Sequence, residues 1–409
     1  MFKLREIQEQ KSTELSKKLK VFRIGILAGE VRSGKTLTVL ATADKLNKKH
    51  VLFVSKKKAL SSIQSDFDLA GFDYKLTLIN YESIHKVDTT GVDLVVCDES
   101  HSMGAFPKPS ARTKAVKEIV FKNRCCLILA SGTPHPESLS QIFHQLWVSY
   151  FTPFDESTFY KWANNYVDKF TMKINGFDVT QYSKADKDKI EQIINPLKVT
   201  MTQSEAGFKS KVHEHFESVE MRPITYQLAE RLKKDLVIEG ENEVILADTS
   251  IKLQQKLHQI YSGTCKFESG NRTVLDPSKA EHIANKWKGQ KIAIFYKFVA
   301  ELDAIKSVYG DNITTDLDEF NATGKSYAGQ IVSSREGVNL SKADVLVFYN
   351  IDFSAVSYFQ ARDRLTTKER PENNVYWIFS KGGIESAIYN AVSKKKDFTN
   401  RLFKTIINK

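Results

Sequence analysis

The chain has 409 residues, of which 41% are hydrophobic, and its 60 Lys and Arg outnumber its 49 Asp and Glu, for a net charge of +11. This length exceeds one ordinary domain, so two domains with separate cores are expected. There is no run of about 18 apolar residues and no apolar leader at the N-terminus, so we expect neither a membrane protein nor a secreted one. The basic excess favours a polyanionic partner.

The first part of the chain alternates short apolar runs with helical patterns. The apolar runs lie at 24–28, 51–55, 76–80, 93–97 and 125–131. Such alternation predicts a parallel sheet of the α/β class, because parallel strands need crossover helices between them. We assign residues 1–150 to this first lobe.

From residue 151 the pattern becomes aromatic and helical, and we treat 151–270 as a mainly helical linking segment. Within it, 212–221 (VHEHFESVEM) predicts an exposed strand face. Strand and helix patterns alternate again in a second lobe at 271–409. This lobe has no phosphate-binding loop of its own, so we expect nucleotide to bind between the lobes.

Residues 29–36, GEVRSGKT, match the pattern GxxxxGKT between a predicted strand and a predicted helix. Backbone N–H groups of such a loop wrap phosphates at a helix N-terminus. Lys35 is predicted to meet the β and γ phosphates, and the Thr36 hydroxyl to hold Mg²⁺. The predicted nucleotide-binding residues of this loop are Gly29, Ser33, Gly34, Lys35 and Thr36.

The tetrapeptide DESH at 98–101 follows an apolar run directly. Asp98, at the end of a strand, is predicted to hold the same Mg²⁺ through water, and Glu99 to orient or deprotonate the attacking water. With the glycine-rich loop, this motif indicates a nucleotide triphosphatase that uses ATP and Mg²⁺. On these two segments alone, a small-molecule kinase stays open.

The order of segments resembles the superfamily-two helicases, and specifically the Snf-type ATPases that translocate on duplex DNA. The segments that carry the resemblance are 4–8 (LREIQ), 51–67, 78–84 (LINYESI), DESH with Lys108 and Ser110, 130–150, 333–354 and 358–364 (YFQARDR). The resemblance implies two RecA-like lobes in tandem and an ATP-dependent DNA helicase or translocase. The small size favours a phage or viral member.

The resemblance also implies roles for residues around the first lobe's site. Gln8 would lie on the adenine side of the nucleotide. Ser131, Gly132 and Thr133 would sense the γ-phosphate and couple it to the DNA track.

In the second lobe, the resemblance implies that Gln360 and Arg364 reach the phosphates, with Arg364 as an arginine finger. The family usually has a second arginine three residues after the first, where this chain has Thr367. Arg362 and Arg370 therefore stay open as alternatives.

Motors of this type hold strand phosphates through backbone amides, hydroxyls and cations, without reading bases. The residues predicted to do so here are Ser55, Lys56, Lys57, Lys58, Asn80, Tyr81, Lys297, Ser333, Ser334 and Arg335. For the three lysines a solvated helix start is the alternative, for Tyr81 a place in the core, and for Arg335 an exposed side chain without a role.

The sequence thus predicts an ATP-dependent motor on DNA, favouring duplex or branched DNA, with RNA possible. We expect a monomer in the cytoplasm or on the nucleoid. One alternative is an RNA helicase or an RNA-polymerase-associated remodelling ATPase. Another is a nucleic-acid-binding clamp that ATP switches without motor activity, although an intact Lys35, Asp98 and Glu99 favours turnover.

Overall fold

The structure is a computed structural model that describes residues 2–30, 32–136, 138–174, 177–207, 211–334, 338–365, 372–394 and 403. The chain divides into two compact units, Met1–Phe208 and Lys209–Lys409. Each unit is built on a six-stranded parallel sheet with helices packed on it. The predicted α/β class, with two RecA-like parallel sheets in tandem, is confirmed.

Unit 1 holds eight strands and seven α-helices among its described residues. The strands are β1 Ile24–Gly29, β2 His50–Ser55, β3 Lys75–Asn80, β4 Leu94–Asp98, β5 Cys126–Ser131, β6 Phe170–Ile174, β7 Phe177–Gln181 and β8 Lys198–Met201. The helices are α1 Glu6–Phe22, α2 Lys35–Lys45, α3 Leu60–Ala70, α4 Ala111–Asn123, α5 Ile142–Trp147, α6 Phe159–Tyr166 and α7 Lys187–Ile194.

The sheet of unit 1 has the order β3-β2-β4-β5-β1-β8, and β6 and β7 form a separate antiparallel hairpin. Every residue of β2 is buried, as expected for a parallel strand covered on both faces. Helix α1 packs on β1 through Leu15 and Leu19, which are four residues apart and therefore share a helix face. A side chain at Gly25 would come within 2.7 Å of Leu15 Cδ1, so the glycine permits this close packing.

Unit 2 holds ten strands and eight α-helices among its described residues. The strands are β9 Lys211–Val219, β10 Val237–Glu239, β11 Val244–Leu246, β12 Thr264–Lys266, β13 Arg272–Val274, β14 Ile292–Tyr296, β15 Ile313–Thr314, β16 Ser326–Gln330, β17 Val345–Phe348 and β18 Glu372–Ser380. The helices are α8 Pro223–Asp235, α9 Ser250–Tyr261, α10 Ser278–Lys286, α11 Val299–Tyr309, α12 Leu317–Ala322, α13 Ile331–Ser334, α14 Ala355–Arg362 and α15 Glu385–Val392.

The sheet of unit 2 has the order β15-β16-β14-β17-β18-β9. The segment grouped from the sequence as 151–270 is divided between the units, since β8 pairs with β1 and β9 pairs with β18. Both pairings join residues more than 150 positions apart, so the pattern of a short sequence segment could not predict them. Among the described residues, no helix combines the length and the apolar character needed to cross a membrane.

A buried ion pair ties α10 to α15 in unit 2. Lys279 Nζ lies 2.7 Å from Glu385 Oε1, and both side chains have 0% exposure. The hydroxyl of Ser380 also donates to Glu385 Oε1, at 2.7 Å. A charge at this depth is tolerated only while its partner remains, because water cannot solvate it.

We predict that Lys279→Met destabilises the protein by about 3–5 kcal/mol, because the Glu385 carboxylate would stay buried without its counter-charge. Urea unfolding would measure the loss, and Lys279→Met combined with Glu385→Leu should recover much of it. The exposed pair of Lys381 and Glu220, also 2.7 Å apart, provides the control. Lys381→Met should change stability by less than about 1 kcal/mol. Equal losses at both lysines would contradict this account.

Candidate nucleotide site

The glycine-rich loop connects the carboxyl end of β1 to the start of α2, as predicted. Gly34 is the N-cap of α2 and has φ of 100°, a conformation that residues with a Cβ rarely adopt. A Cβ at Gly29 would lie 2.5 Å from Lys35 Cγ. The close turn of this loop therefore requires glycine at both positions.

Two polar side chains of the loop have contrasting surroundings. Lys35 Nζ folds back over the loop and donates to the carbonyl oxygen of Glu30 at 2.9 Å. Ser33 is fully buried, and its hydroxyl has no hydrogen-bond partner. An unsatisfied buried hydroxyl costs about 1–3 kcal/mol. A phosphate oxygen in the loop would satisfy it, so the loop fits a phosphate ligand.

Residues at the N-terminus of α1 donate hydrogen bonds to the glycine-rich loop. Gln8 Nε2 donates to the carbonyl of Gly34 at 3.4 Å, so Gln8 lies against the loop, and its contact with adenine stays a prediction. Arg5, which the sequence did not single out, donates to the carbonyls of Ser33 at 3.0 Å and Ala206 at 3.3 Å. The one signal for Arg5 is its place within the LREIQ segment. Arg5 thus ties the loop to the end of unit 1.

Strand pairing brings the second motif to the same edge of the sheet. In the parallel register, Ala28 of β1 lies opposite Ser131 of β5, and Asp98 of β4 lies opposite Ala130. The turn after β5 therefore lies between the loop after β1 and the acidic end of β4. This is the arrangement that the two motifs require if they serve one nucleotide.

Asp98 is half-buried beside other polar groups. Its Oδ2 accepts from the Ser55 hydroxyl at 2.7 Å, and its backbone oxygen accepts from the Tyr81 hydroxyl at 2.6 Å. Burial, together with the charge of Glu99, raises the pKa of Asp98 to about 6. A carboxylate in this situation gains from a nearby cation, so Asp98 fits the predicted role of holding Mg²⁺ with Thr36, which is the first helical residue after Lys35.

Glu99 has a strained backbone and an ionised side chain. Its φ is 48°, in the left-handed region, which costs a residue with a Cβ about 1–2 kcal/mol. Burial alone would raise the pKa of Glu99, but the hydrogen bond and charge of His101, with the charges of Lys35 and Lys56, hold it at about 2. Strain of this kind persists where the surroundings enforce it, often at functional positions.

His101 connects the acidic motif to the turn after β5. Its Nδ1 lies 3.3 Å from Glu99 Oε2 and 3.0 Å from Ser131 Oγ. Ser131 Oγ in turn accepts from the backbone N–H of Thr133 at 3.1 Å, across Gly132. The Thr133 hydroxyl is buried without a hydrogen-bond partner. The sequence assigned no role to His101, although it is the last residue of DESH.

Three residues that were predicted to contact nucleic acid in unit 1 have partners inside the unit. The hydroxyls of Ser55 and Tyr81 are the donors to Asp98, and both residues are buried. For Tyr81 this is the core alternative. Asn80 Oδ1 accepts from the backbone N–H of Ser83 at 2.8 Å and so caps the short helix Tyr81–Lys86. The phosphate contacts predicted for the lysines that follow Ser55 stay predictions.

Those lysines lie at the carboxyl end of β2. Lys57 and Lys58 are exposed, and Lys56 is half-buried, with its charge close enough to lower the pKa of Glu99. Their place at the start of a helix agrees with either alternative, a phosphate contact or a solvated helix start.

In unit 2, Lys297 follows β14 and is largely buried. Its Nζ lies 2.7 Å from Asp352 Oδ1 and 3.7 Å from the ring centre of Phe353. A predicted phosphate contact by Lys297 would have to compete with this ion pair.

The two serines of α13 differ in exposure. Ser334 is buried, with its hydroxyl 3.2 Å from the hydroxyl of Tyr327, whereas Ser333 is exposed and donates to the carbonyl of Gln330 at 3.1 Å. Arg335 lies outside the described residues. Of the two described residues predicted to contact phosphate in this segment, Ser333 has an exposed side chain and Ser334 does not.

The proposed phosphate-contacting residues of unit 2 lie on or just after α14. Gln360 has 3% exposure and Arg364 has 8%. Arg362 Nη1 lies 3.2 Å from Glu214 Oε1, and that ion pair holds its guanidinium. Arg370 lies outside the described residues, as does Thr367. The choice of Arg364 as the finger residue stays a prediction.

Comparison with known proteins gave a single kind of match. No protein-family model matches the sequence, and no curated protein matches it. Among solved structures, the chain is similar to the Sulfolobus solfataricus SWI2/SNF2 ATPase core in complex with dsDNA. The identity is 18% and the TM-score 0.42, and the match covers 99% of this chain and 93% of that chain.

We predict that Ser33→Ala weakens binding of a non-hydrolysable ATP analogue with Mg²⁺ by about tenfold, the equivalent of one charge-assisted hydrogen bond. The unliganded protein should lose no stability, because the hydroxyl has no partner to lose. Calorimetric titration and thermal unfolding measure the two effects. Ser16→Ala is the control, since the Ser16 hydroxyl donates to the carbonyl of Thr13 at 2.9 Å. It should leave affinity unchanged, and an unchanged affinity in Ser33→Ala would contradict the assignment.

Proposed function

We propose that this protein is an ATP-driven motor on DNA, a helicase or translocase of the Snf-like kind. The observation that carries the proposal is the path from Glu99 through His101 to Ser131. It links the predicted hydrolytic carboxylate to the Ser131–Thr133 turn. In the sheet this turn follows β5, which lies between the strand before the glycine-rich loop and the strand before Glu99. A protein that only stores or transfers phosphate has no need for such a link, whereas a motor must pass the state of the nucleotide on to other parts of the chain.

Each group of the site has a distinct part in hydrolysis under this proposal. Lys35 neutralises phosphate charge. Thr36 and Asp98 would hold Mg²⁺, which supplies further charge stabilisation to the phosphates. A carboxylate whose pKa is held below its usual range, as the hydrogen bond and charge of His101 do for Glu99, is a weaker base than a free glutamate. Glu99 therefore acts mainly by accepting a hydrogen bond from the attacking water and orienting it, and less by removing its proton.

DNA as the partner is supported by the ordered series of segments in the sequence and by the net charge of +11. The exposed Lys57 and Lys58 offer cations at a loop beside the site. Contacts of this kind bind the phosphate backbone with little preference for sequence. Gln360 and Arg364 keep the phosphate-contacting role that the resemblance implies for them.

We predict that Glu99→Gln lowers ATP turnover by at least about 100-fold while ATP binding changes by less than about threefold. The amide keeps the size of the side chain but cannot hold the water in the same orientation. Glu82→Gln is the matched control, because Glu82 is exposed and pairs with Arg112 at 3.1 Å. Turnover at the wild-type rate in Glu99→Gln would refute the assignment of this carboxylate.

We further predict that duplex, forked or four-way DNA stimulates ATP turnover more than single-stranded DNA or RNA does. The stimulation should weaken as salt rises, because phosphate binding releases counterions. Steady-state rates at several stated salt concentrations test this, with Lys57→Ala and Lys58→Ala combined as the variant of reduced binding. Stronger stimulation by RNA would favour an RNA helicase. Binding of nucleic acid without any turnover would favour an ATP-switched clamp.

A further inference from the structure

A single carboxylate on β9 gathers four side-chain donors in unit 2. Glu214 accepts from Tyr358 Oη at 2.8 Å to each oxygen, from Trp377 Nε1 at 2.9 Å and from Tyr389 Oη at 3.2 Å. Arg362 Nη1 is the fourth donor, at 3.2 Å. An ionised carboxylate only accepts hydrogen bonds, and each of these four groups can donate one.

Aromatic rings enclose this carboxylate. The Trp377 ring stacks on Tyr358, with centres 5.3 Å apart and planes at 23°, and it stacks on Phe348 at 3.9 Å. Trp377 has 0% exposure and Tyr358 has 2%, while the Glu214 side chain retains 16%. Water is thus largely excluded, and a hydrogen bond to a charged group is stronger in such surroundings.

The sequence suggested an exposed strand face for 212–221, and this is wrong for Glu214. Alternate residues of a strand point to opposite faces. Glu217 lies on the other face from Glu214, where it pairs with Lys286 of α10. Glu214 lies on the face covered by α14 and α15. Two glutamates in one alternating segment therefore have different surroundings, because β9 is covered unequally on its two sides.

The donors of Glu214 come from three elements that follow β9 in the chain. Tyr358 and Arg362 are on α14, Trp377 is on β18, and Tyr389 is on α15. The two contacts on α14 are four residues apart and flank Gln360, and Arg364 follows two residues after Arg362. The orientation of α14 relative to the sheet is therefore determined in part at Glu214.

We propose that Glu214 is a positioning residue for the ATPase reaction, which holds α14 so that Gln360 and Arg364 are presented in the geometry that hydrolysis requires. This inference rests on the proposed function. Glu214 touches no reacting atom in this role. It acts through Tyr358 and Arg362, and its effect should appear in the chemical step more than in nucleotide binding, because displacement of about 1 Å in such groups can cost about 100-fold in rate.

The experiment compares steady-state ATP turnover, with saturating duplex DNA, in the wild type and in full-length Glu214→Gln. Trp377 Nε1 contacts one carboxylate oxygen and Arg362 Nη1 the other, and both groups can only donate. A glutamine NH2 group in either position would face one of these donors, so α14 should shift while the side-chain size is kept. We expect kcat to fall at least about tenfold and KM for ATP to change less than about twofold. The matched control is Glu217→Gln on the opposite face of β9, which should keep kcat within about twofold.

A double-variant cycle separates positioning from general loss of structure. If Glu214 acts through Arg364, Glu214→Gln should lower kcat much less in an Arg364→Ala background than in the wild type. The inference would be overturned if Glu214→Gln lowered kcat by the same factor in the Arg364→Ala background as in the wild type. An equal loss of kcat in Glu214→Gln and Glu217→Gln would overturn it as well. So would an unchanged kcat in Glu214→Gln while the wild type is active, and in that case the proposed function would stand. If the wild type shows no ATP turnover, both this inference and the proposed function are wrong.

A second variant covers the case in which Glu214→Gln does not fold. Tyr358→Phe removes the hydroxyl that reaches both carboxylate oxygens but leaves the ring stacked on Trp377. It should lower kcat about threefold or more with KM for ATP again nearly constant. Thermal unfolding of each variant shows that the comparison is made on folded protein. An unchanged kcat in folded Tyr358→Phe would overturn the inference in the same way.

Discussion

The direction of the strands in the first sheet is the constraint on which the candidate nucleotide site depends. Parallel strands end at the same edge, so whatever follows them in the chain must meet there. The glycine-rich loop after β1, the Ser131–Thr133 turn after β5 and the acidic end of β4 come from three distant parts of the sequence. The hydrogen-bonded register alone makes them neighbours. The helix α1 then adds Arg5 and Gln8 behind the loop.

Two adjacent carboxylates at this edge are given opposite properties by their surroundings. Asp98 has a serine hydroxyl as its side-chain donor and has a raised pKa, whereas Glu99 lies against His101 and has a lowered one. Two half-buried carboxylates side by side would otherwise repel each other. These opposite pKa shifts suit a pair in which Asp98 would bind a cation and Glu99 stays ionised as a hydrogen-bond acceptor. The Glu99 carboxylate lies 3.3 Å from His101 Nδ1, which accounts for its lowered pKa.

In the second unit, too, elements from distant parts of the chain meet at one residue. There, β9 at the sheet edge places Glu214 beneath α14 and α15, and the aromatic rings around it exclude water. Its alternating pattern indicated a strand correctly. It indicated the wrong environment for one face, because the elements that cover that face lie 140 residues or more further along the chain. The division of the linking segment between the two sheets was hidden for the same reason.

The sequence by itself determined the α/β class, the glycine-rich loop and the acidic motif, because each depends on the spacing of contiguous residues. Glycines at Gly29 and Gly34 and the run before Asp98 are signals of this local kind. Only the tertiary structure decided that Ser55 and Tyr81 support Asp98, that His101 reaches Ser131, and that Glu214 holds Arg362. These contacts join residues between 17 and 148 positions apart in the chain. Such contacts follow from strand order and burial, which no short stretch of sequence specifies.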